Sequence, residues 1–292
     1  LNGQLQSQCN VLIASSFLNI LLDVVLILVL GMGVEGAGLA TLFSQVFATI
    51  LCGVYIWRKL RLLIPHGEEC HYDNKRISIL LNNGIPMGLQ FSITGIGIIM
   101  LQSANNALGT IYVAAFTASM RIKYLFTCVF ENIGVAMATY CGQNIGAEKV
   151  DRIRRGIIAA FKMMLVYFVF TVVVIWPFAD DMMQLFVSGD QPLVVGNAAM
   201  LMRIANCFYA VLGVLTICRY SIQGLGFSNL SLLSGVMEMI ARCGVSLWLV
   251  PTFGFLGVCY GDPLAWIAAD LFLVPAMVWV YHRIKKKYAL KK

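Results

Sequence analysis

Asp23 and Asn19 lie four residues apart in a run, Val11 to Leu30, that is otherwise apolar and long enough to cross a bilayer. That spacing is about one helical turn, so the carboxylate and the amide share a helix face. A carboxylate at the centre of a membrane helix costs about 2.5–3.5 kcal/mol on insertion scales, and such residues mark ion or substrate sites. The carboxylate and the amide oxygen are hard ligands suited to Na+, and the carboxylate can also take a proton. Thr41, early in the next apolar run, adds a hydroxyl that could reach the same place. Asn19, Asp23 and Thr41 are therefore the candidate cation-coupling residues, for H+ or Na+. The competing reading is an interhelical hydrogen bond, typically worth about 0.6 kcal/mol.

Charged residues recur further along. Glu131 follows Arg121 and Lys123 in the fourth apolar run, and Arg203 and Arg219 lie in the sixth. Glu238 and Arg242 are placed to pair on one helix face or to line a cavity together. Asp270 lies one turn from Trp266; an acid beside an aromatic ring suits an organic cation, although plain aromatic packing accounts for Trp266 equally well. Glu131, Arg121, Glu238, Arg242, Trp266 and Asp270 are the candidate substrate or cavity residues. Unpaired charges in lipid are costly, so some of these must neutralise one another. Arg219, near the cytoplasmic end of its run, is expected to extend outward to the interface; Lys123 could do so only if its helix is displaced.

No catalytic constellation is present. There is no HExxH and no P-loop, which argues against an enzyme and against a self-contained ATP-driven pump, and no cofactor is implied. His66, Cys70 and His71 stand beside Glu68 and Glu69, but their spacing fits no common zinc pattern.

The elements that must carry these residues are membrane helices. The chain of 292 residues is 60% hydrophobic and 12% charged, against about 45–50% and 25% in soluble domains. The apolar residues form eight runs: Val11–Leu30, Leu39–Trp57, Ile85–Leu108, Val113–Cys141, Ile157–Phe178, Leu193–Ile222, Leu230–Val250 and Gly257–Tyr281. The expected fold is all-α and integral to the membrane. The fourth and sixth runs are longer and carry polar breaks, so they are expected to tilt or extend past the lipid.

Lys and Arg give the orientation. They cluster at Arg58 to Arg76, at Lys149 to Arg155 and in the tail from Arg283, which fall on one side if the runs alternate. The opposite loops hold Glu35, Asp180, Asp181, Asp190 and Asp262, with no Lys or Arg. Both termini are thus expected in the cytoplasm, and the net charge of +7 follows from juxtamembrane loops rather than nucleic-acid binding. The nine cysteines include no CxxC pair, and most read as buried free thiols.

The polar break after Trp57 divides the chain into a two-helix block (1–57), a cytoplasmic linker (58–81) and a six-helix block with a basic tail (82–292). A short amphipathic helix is expected within the linker near Asp73–Leu81. The first two runs are echoed by the last two: Asn19 and Asp23 precede Gly33 and Gly36, as Glu238 and Arg242 precede Gly254 and Gly257. Transporters are often built from such repeats, with the site between them. If the repeat is real, the first two helices end a bundle whose first four helices lie upstream. The third run holds Gly84, Gly88, Gly95 and Gly97 with Pro86, suited to close helix approach and bending.

Four stretches resemble the multidrug and toxic compound extrusion family in order and spacing. They are LNILLD (Leu18–Asp23) leading to GVEGAGLAT (Gly33–Thr41), NGIPMGLQ (Asn83–Gln90), CGQNIGA (Cys141–Ala147) followed by EKVDRIRRG, and RYSIQGLG (Arg219–Gly226). The resemblance covers nearly the whole chain and implies helices five to twelve of a twelve-helix antiporter, acting as a monomer in the inner membrane. It implies export of organic, often cationic, drugs in exchange for H+ or Na+. In one branch of the family an acid of helix one acts with an Asn and an Asp of helix five and a Thr of helix six. Asn19, Asp23 and Thr41 match the last three, and the helix-one acid would lie upstream. Another branch uses a glutamate in helix seven; Gln90 to Leu101 holds none, so that site is not carried over, and Glu131 is the nearest substitute. A flippase of lipid-linked oligosaccharides in the same superfamily is the rival, since its cavity should hold several cations, with Arg121, Arg203 and Arg242 as candidates. A truncated, non-transporting membrane protein is the third reading.

Overall fold

The computed structural model of the chain describes residues 2–59, 64, 67, 73–187 and 191–289. Among the described residues every regular element is helical. Seven helices are long and apolar enough to cross a membrane, and a bent pair makes an eighth span. Each of the eight apolar runs falls on one of these spans. The His66, Cys70 and His71 cluster lies outside the described residues.

The chain divides into two compact units after Asp73. In the first, α1 (Asn2–Asp23) continues through a π-helical stretch (Val24–Val29) and packs against α2 (Gly33–Lys59). The reversal needs glycine at two places. Gly31 and Gly33 have φ of 65° and 57°, a region that side chains with a Cβ avoid. At Gly36 a Cβ would stand 3.2 Å from the Leu26 backbone, so glycine lets α2 start against the end of the preceding helix.

The second unit runs from α3 (Asn74–Asn106) through α4 (Thr110–Gly146), α5 (Val150–Gln184), α6 (Pro192–Cys207), α7 (Tyr209–Gly224) and α8 (Ser228–Gly244). A π-helical stretch (Val245–Leu249) then leads to α9 (Val250–Phe253), α10 (Phe255–Cys259) and α11 (Gly261–Ala289). The long sixth run is the bent span: α6 and α7 meet at 53° across Phe208. The fourth run is one unbroken helix of 37 residues. The linker helix expected near Asp73–Leu81 is not separate. Asn74 already begins α3, which passes through Pro86 without a break, as membrane helices permit when neighbouring groups satisfy the freed carbonyl.

Helix α3 lies against α8, α4 against α5, α6 and α7, and α11 against α7 and α8. Their shared core centres on aromatic rings: Phe130 meets Tyr167 and Tyr209 edge-on, with centroids 5.0 and 5.7 Å apart. Outward faces carry Leu, Ile, Val and Phe side chains, as a lipid-facing surface requires. The expected buried thiols divide: Cys141, Cys218 and Cys259 are buried, whereas Cys52 and Cys207 face outward.

Candidate functional site

The first unit carries Asn19 and Asp23 on α1 and Thr41 on α2. Asn19 and Asp23 are half-buried, and the Nδ2 of Asn19 is buried with no partner. Asp23 is the last α-helical residue before the π-helical stretch. Thr41 faces outward, and its hydroxyl donates to the Ala37 carbonyl of its own helix at 3.0 Å. Among the described residues no hydrogen bond joins the three.

The second unit gathers charge far more tightly. A cavity of about 260 Å3 is lined by six acidic or basic side chains: Lys123 and Glu131 from α4, Arg219 from α7, Glu238 and Arg242 from α8, and Asp262 from α11. Five of them form a continuous ladder. Arg219 donates from Nη2 to Glu238 Oε1, and Arg242 donates from Nη1 to Glu238 Oε2 at 3.0 Å. Arg242 also donates from Nε to Asp262 Oδ1 at 3.0 Å, and Lys123 closes the row on Asp262 Oδ2. The side chains of Arg219, Glu238 and Arg242 are 8%, 3% and 4% exposed. At such depth a charge persists only when paired and hydrogen-bonded, and the ladder supplies both. Trp266 caps it, with the Lys123 ammonium 5.2 Å from its ring.

Glycines seat this arrangement. A Cβ at Gly97 would stand 3.1 Å from Met239 Cα and 3.3 Å from Arg242 Cδ, so glycine lets α8 lay Arg242 against α3. Gly84, Gly88 and Gly95 have open space beside them and do not mediate contact in this way. Gly134, one turn beyond Glu131, accepts the Tyr220 ring; a Cβ there would fall 2.4 Å from Tyr220 Cδ2. Tyr220 thereby reaches Glu131 and donates its hydroxyl to Oε2 at 2.9 Å. Gly134→Ala is expected to push the ring aside, break that bond and cost about 1–3 kcal/mol as an overpacked contact. A change in tyrosine ultraviolet absorbance that is absent when the same substitution is made in a Tyr220→Phe background, together with a lower unfolding temperature, checks it; an unchanged tyrosine environment would contradict it.

Several expected site residues meet here and others do not. Glu131, Glu238, Arg242 and Trp266 line the cavity. Arg121 faces outward on α4, beside Gln102 and Tyr124. Asp270 is half-buried outside that lining, with Oδ1 buried and unpartnered. Arg203 pairs instead with Asp180 of α5 at 2.5 Å. Arg219 does not extend to the interface: it is buried and anchored on Glu238 and on Ser234, 3.3 Å from its Nε. Lys123 is likewise held inside. The residue missed outright is Asp262, expected in an outer loop but seated in the first turn of α11, where it bridges Arg242 and Lys123. A signal existed for it. Asp262 follows the turn glycine Gly254 by eight residues, as Thr41 follows Gly33.

The chain is 30% identical over 203 residues to a probable multidrug resistance protein, YpnP, of Bacillus subtilis, covering 68% of this chain and 43% of that one. It is 25% identical over 223 residues to a FAD transporter of Shewanella oneidensis, covering 74% and 48%. This chain spans about half the length of these curated relatives. Among solved structures, an outward-facing multidrug resistance MATE family transporter superposes with a TM-score of 0.82 at 24% identity, covering 95% of this chain and 61% of that one. A MOP superfamily transporter from Pyrococcus furiosus gives 0.81 at 24%, covering 95% and 62%. The MatE family model matches residues 86–247, more than half of the chain and all of the ladder except Asp262. On that match, the chain belongs to the MatE family.

Proposed function

We propose that this chain is part of a multi-pass transporter, not an enzyme, that exports organic compounds such as drugs or toxic molecules in exchange for H+ or Na+. The observation that carries the reading is the cavity: six acidic or basic side chains line one space among apolar helices. Charges at that depth mark the path or docking place of a polar solute. The printed functions of the two relatives, multidrug resistance and FAD transport, support an organic cargo. A cationic cargo is supported by the family resemblance, whereas Asp270, which with Trp266 would suit one, lies outside the cavity lining.

Coupling is assigned to Asn19, Asp23 and Thr41. The junction of α-helix and π-helix at Asp23 supports this, because π-helical turns recur at functional sites. A bound proton or Na+ neutralises the carboxylate and lets it repack in a drier setting, which biases the helices between inward-open and outward-open states. No cofactor beyond the ion is needed. The Lys and Arg asymmetry supports a place in the cell's inner membrane with cytoplasmic termini. The working unit is a monomer completed by upstream helices of the same protein.

One observation favours a second reading, a flippase of lipid-linked oligosaccharides. Lys123, Arg219 and Arg242 all line the cavity, although Arg121 and Arg203 do not. Proteoliposomes holding the full-length protein test the main reading. An imposed H+ or Na+ gradient should drive a soluble drug across the bilayer. Movement of a lipid-linked sugar with no drug transport would select the flippase, and no gradient-driven movement of either would overturn coupled export.

A further inference from the structure

The ladder's hydrogen bonds are lopsided. Arg219, Glu238, Arg242, Asp262 and Lys123 alternate in sign and end on a cation at each end, so the row carries one excess positive charge. Its acceptors are all engaged: each of the four carboxylate oxygens of Glu238 and Asp262 already faces a cationic donor. Its donors are not. Arg219 uses Nε on Ser234 and Nη2 on Glu238, which leaves Nη1. Arg242 uses Nε and Nη1, which leaves Nη2. Lys123 has three protons, with one carboxylate partner and a long contact to the Met120 thioether at 3.9 Å, which leaves at least one.

The excess charge is opposed by Glu131, the one lining carboxylate outside the ladder, and from outside the lining by Asp270, which lies within electrostatic reach of Arg219. Among the described residues Glu131 is held by the Tyr220 hydroxyl and by no cation. An organic cation entering this space meets Glu238 and Asp262 already paired. A ligand rich in acceptors meets three cations from three helices with donors to spare, and finds the apolar faces of Trp266 and Phe91 beside them.

We propose that the cavity of the second unit binds an anionic group, a carboxylate or a phosphate, carried on an apolar or aromatic body, with Lys123, Arg219 and Arg242 as the recognising cations. The inference rests on the reading of this cavity as the cargo's docking place and gives the cargo's chemical class. Glu131 is the counter-charge that the anion works against. Two sources share this chemistry, a soluble aromatic acid and a prenyl phosphate lipid.

Isothermal titration of the full-length protein in phosphatidylcholine nanodiscs, with empty nanodiscs as the blank, tests it. The probes are 2-naphthoate, the near-isosteric cation 2-naphthylmethylammonium, and geranyl pyrophosphate. The anions should bind more tightly than the cation, and the tighter of the two anions identifies the source. Glu131→Gln removes the opposing charge and should tighten anion binding by about tenfold, a gain that a damaged fold cannot produce. Lys123→Met should weaken it by a similar factor. Tighter binding of the cation, no binding of either anion, or weaker anion binding in a folded Glu131→Gln protein would each overturn the proposal. If Glu131→Gln does not fold, the ranking of the three probes in the unaltered protein decides. The titration uses no ion gradient, so its failure is distinct from a failure of coupled export.

Discussion

Glu238→Leu is expected to destabilise the second unit by about 3–5 kcal/mol, the cost of leaving a buried charge without its partner. Among the described residues Glu238 is the one carboxylate bonded to Arg219, whose other side-chain bond is to the neutral Ser234 hydroxyl. Without Glu238, two guanidiniums line the same space, and of the two only Arg242 keeps a hydrogen-bonded carboxylate, Asp262. The second substitution should then reverse much of the first. Adding Arg219→Leu removes the stranded cation, leaves the Arg242, Asp262 and Lys123 row intact, and is expected to recover more than half of the loss. Unfolding of the single and double variants in detergent measures this as a coupling energy. Additive losses would show that the two residues matter for their shape and not for their charges. The Arg203 and Asp180 pair is the contrast. Its side chains are 34% and 47% exposed, and such a pair contributes about 0–1 kcal/mol.

How much of this was legible in the sequence depends on the range of the interaction involved. Apolar run length alone located all eight spans, because a bilayer sets helix length directly. The bend at Phe208 was not legible: the fourth and sixth runs were both expected to tilt or extend past the lipid, yet the fourth is one unbroken helix and the sixth bends. Glu238 and Arg242 could be paired from spacing, since both lie on one helix. Arg219 and Lys123 could not. Their partners lie on other helices, and which charges meet is decided by helix contacts that a linear reading does not contain. Asp262 failed for a related reason. A carboxylate next to a turn reads as a loop residue, and only α8 and α4 arriving on either side bury it. Gly97 and Gly134 show the same limit. Their small size was visible in the sequence, but the Arg242 and Tyr220 side chains they admit come from helices more than 80 residues away. Thr41 was read from its place early in the next run and from the resemblance, but its hydroxyl donates to its own helix.

In the full-length protein, Asp23→Asn is expected to reduce the dependence of export on the ion gradient by about 5–150-fold, the range spanned by coupling energies of about 1–3 kcal/mol. Asparagine keeps the size and one oxygen of aspartate but is neutral at every pH, so it resembles a carboxylate that never releases its ion. Alternating access would lose the step in which a charged Asp23 is unfavourable in the drier state, while cargo binding in the second unit should be retained. That separation distinguishes coupling from damage to the fold. Varying pH at fixed Na+, and Na+ at fixed pH, identifies the ion, because only the dependence that Asp23 carries should flatten. Asn19→Ala should act more mildly, since the Asn19 amide nitrogen has no partner to lose and its oxygen can only assist the carboxylate. Full retention of both dependences in Asp23→Asn would remove Asp23 from coupling. Coupling would then have to reside at another carboxylate, and Glu131, free of any ion pair among the described residues and facing the cavity, is the one placed to exchange an ion.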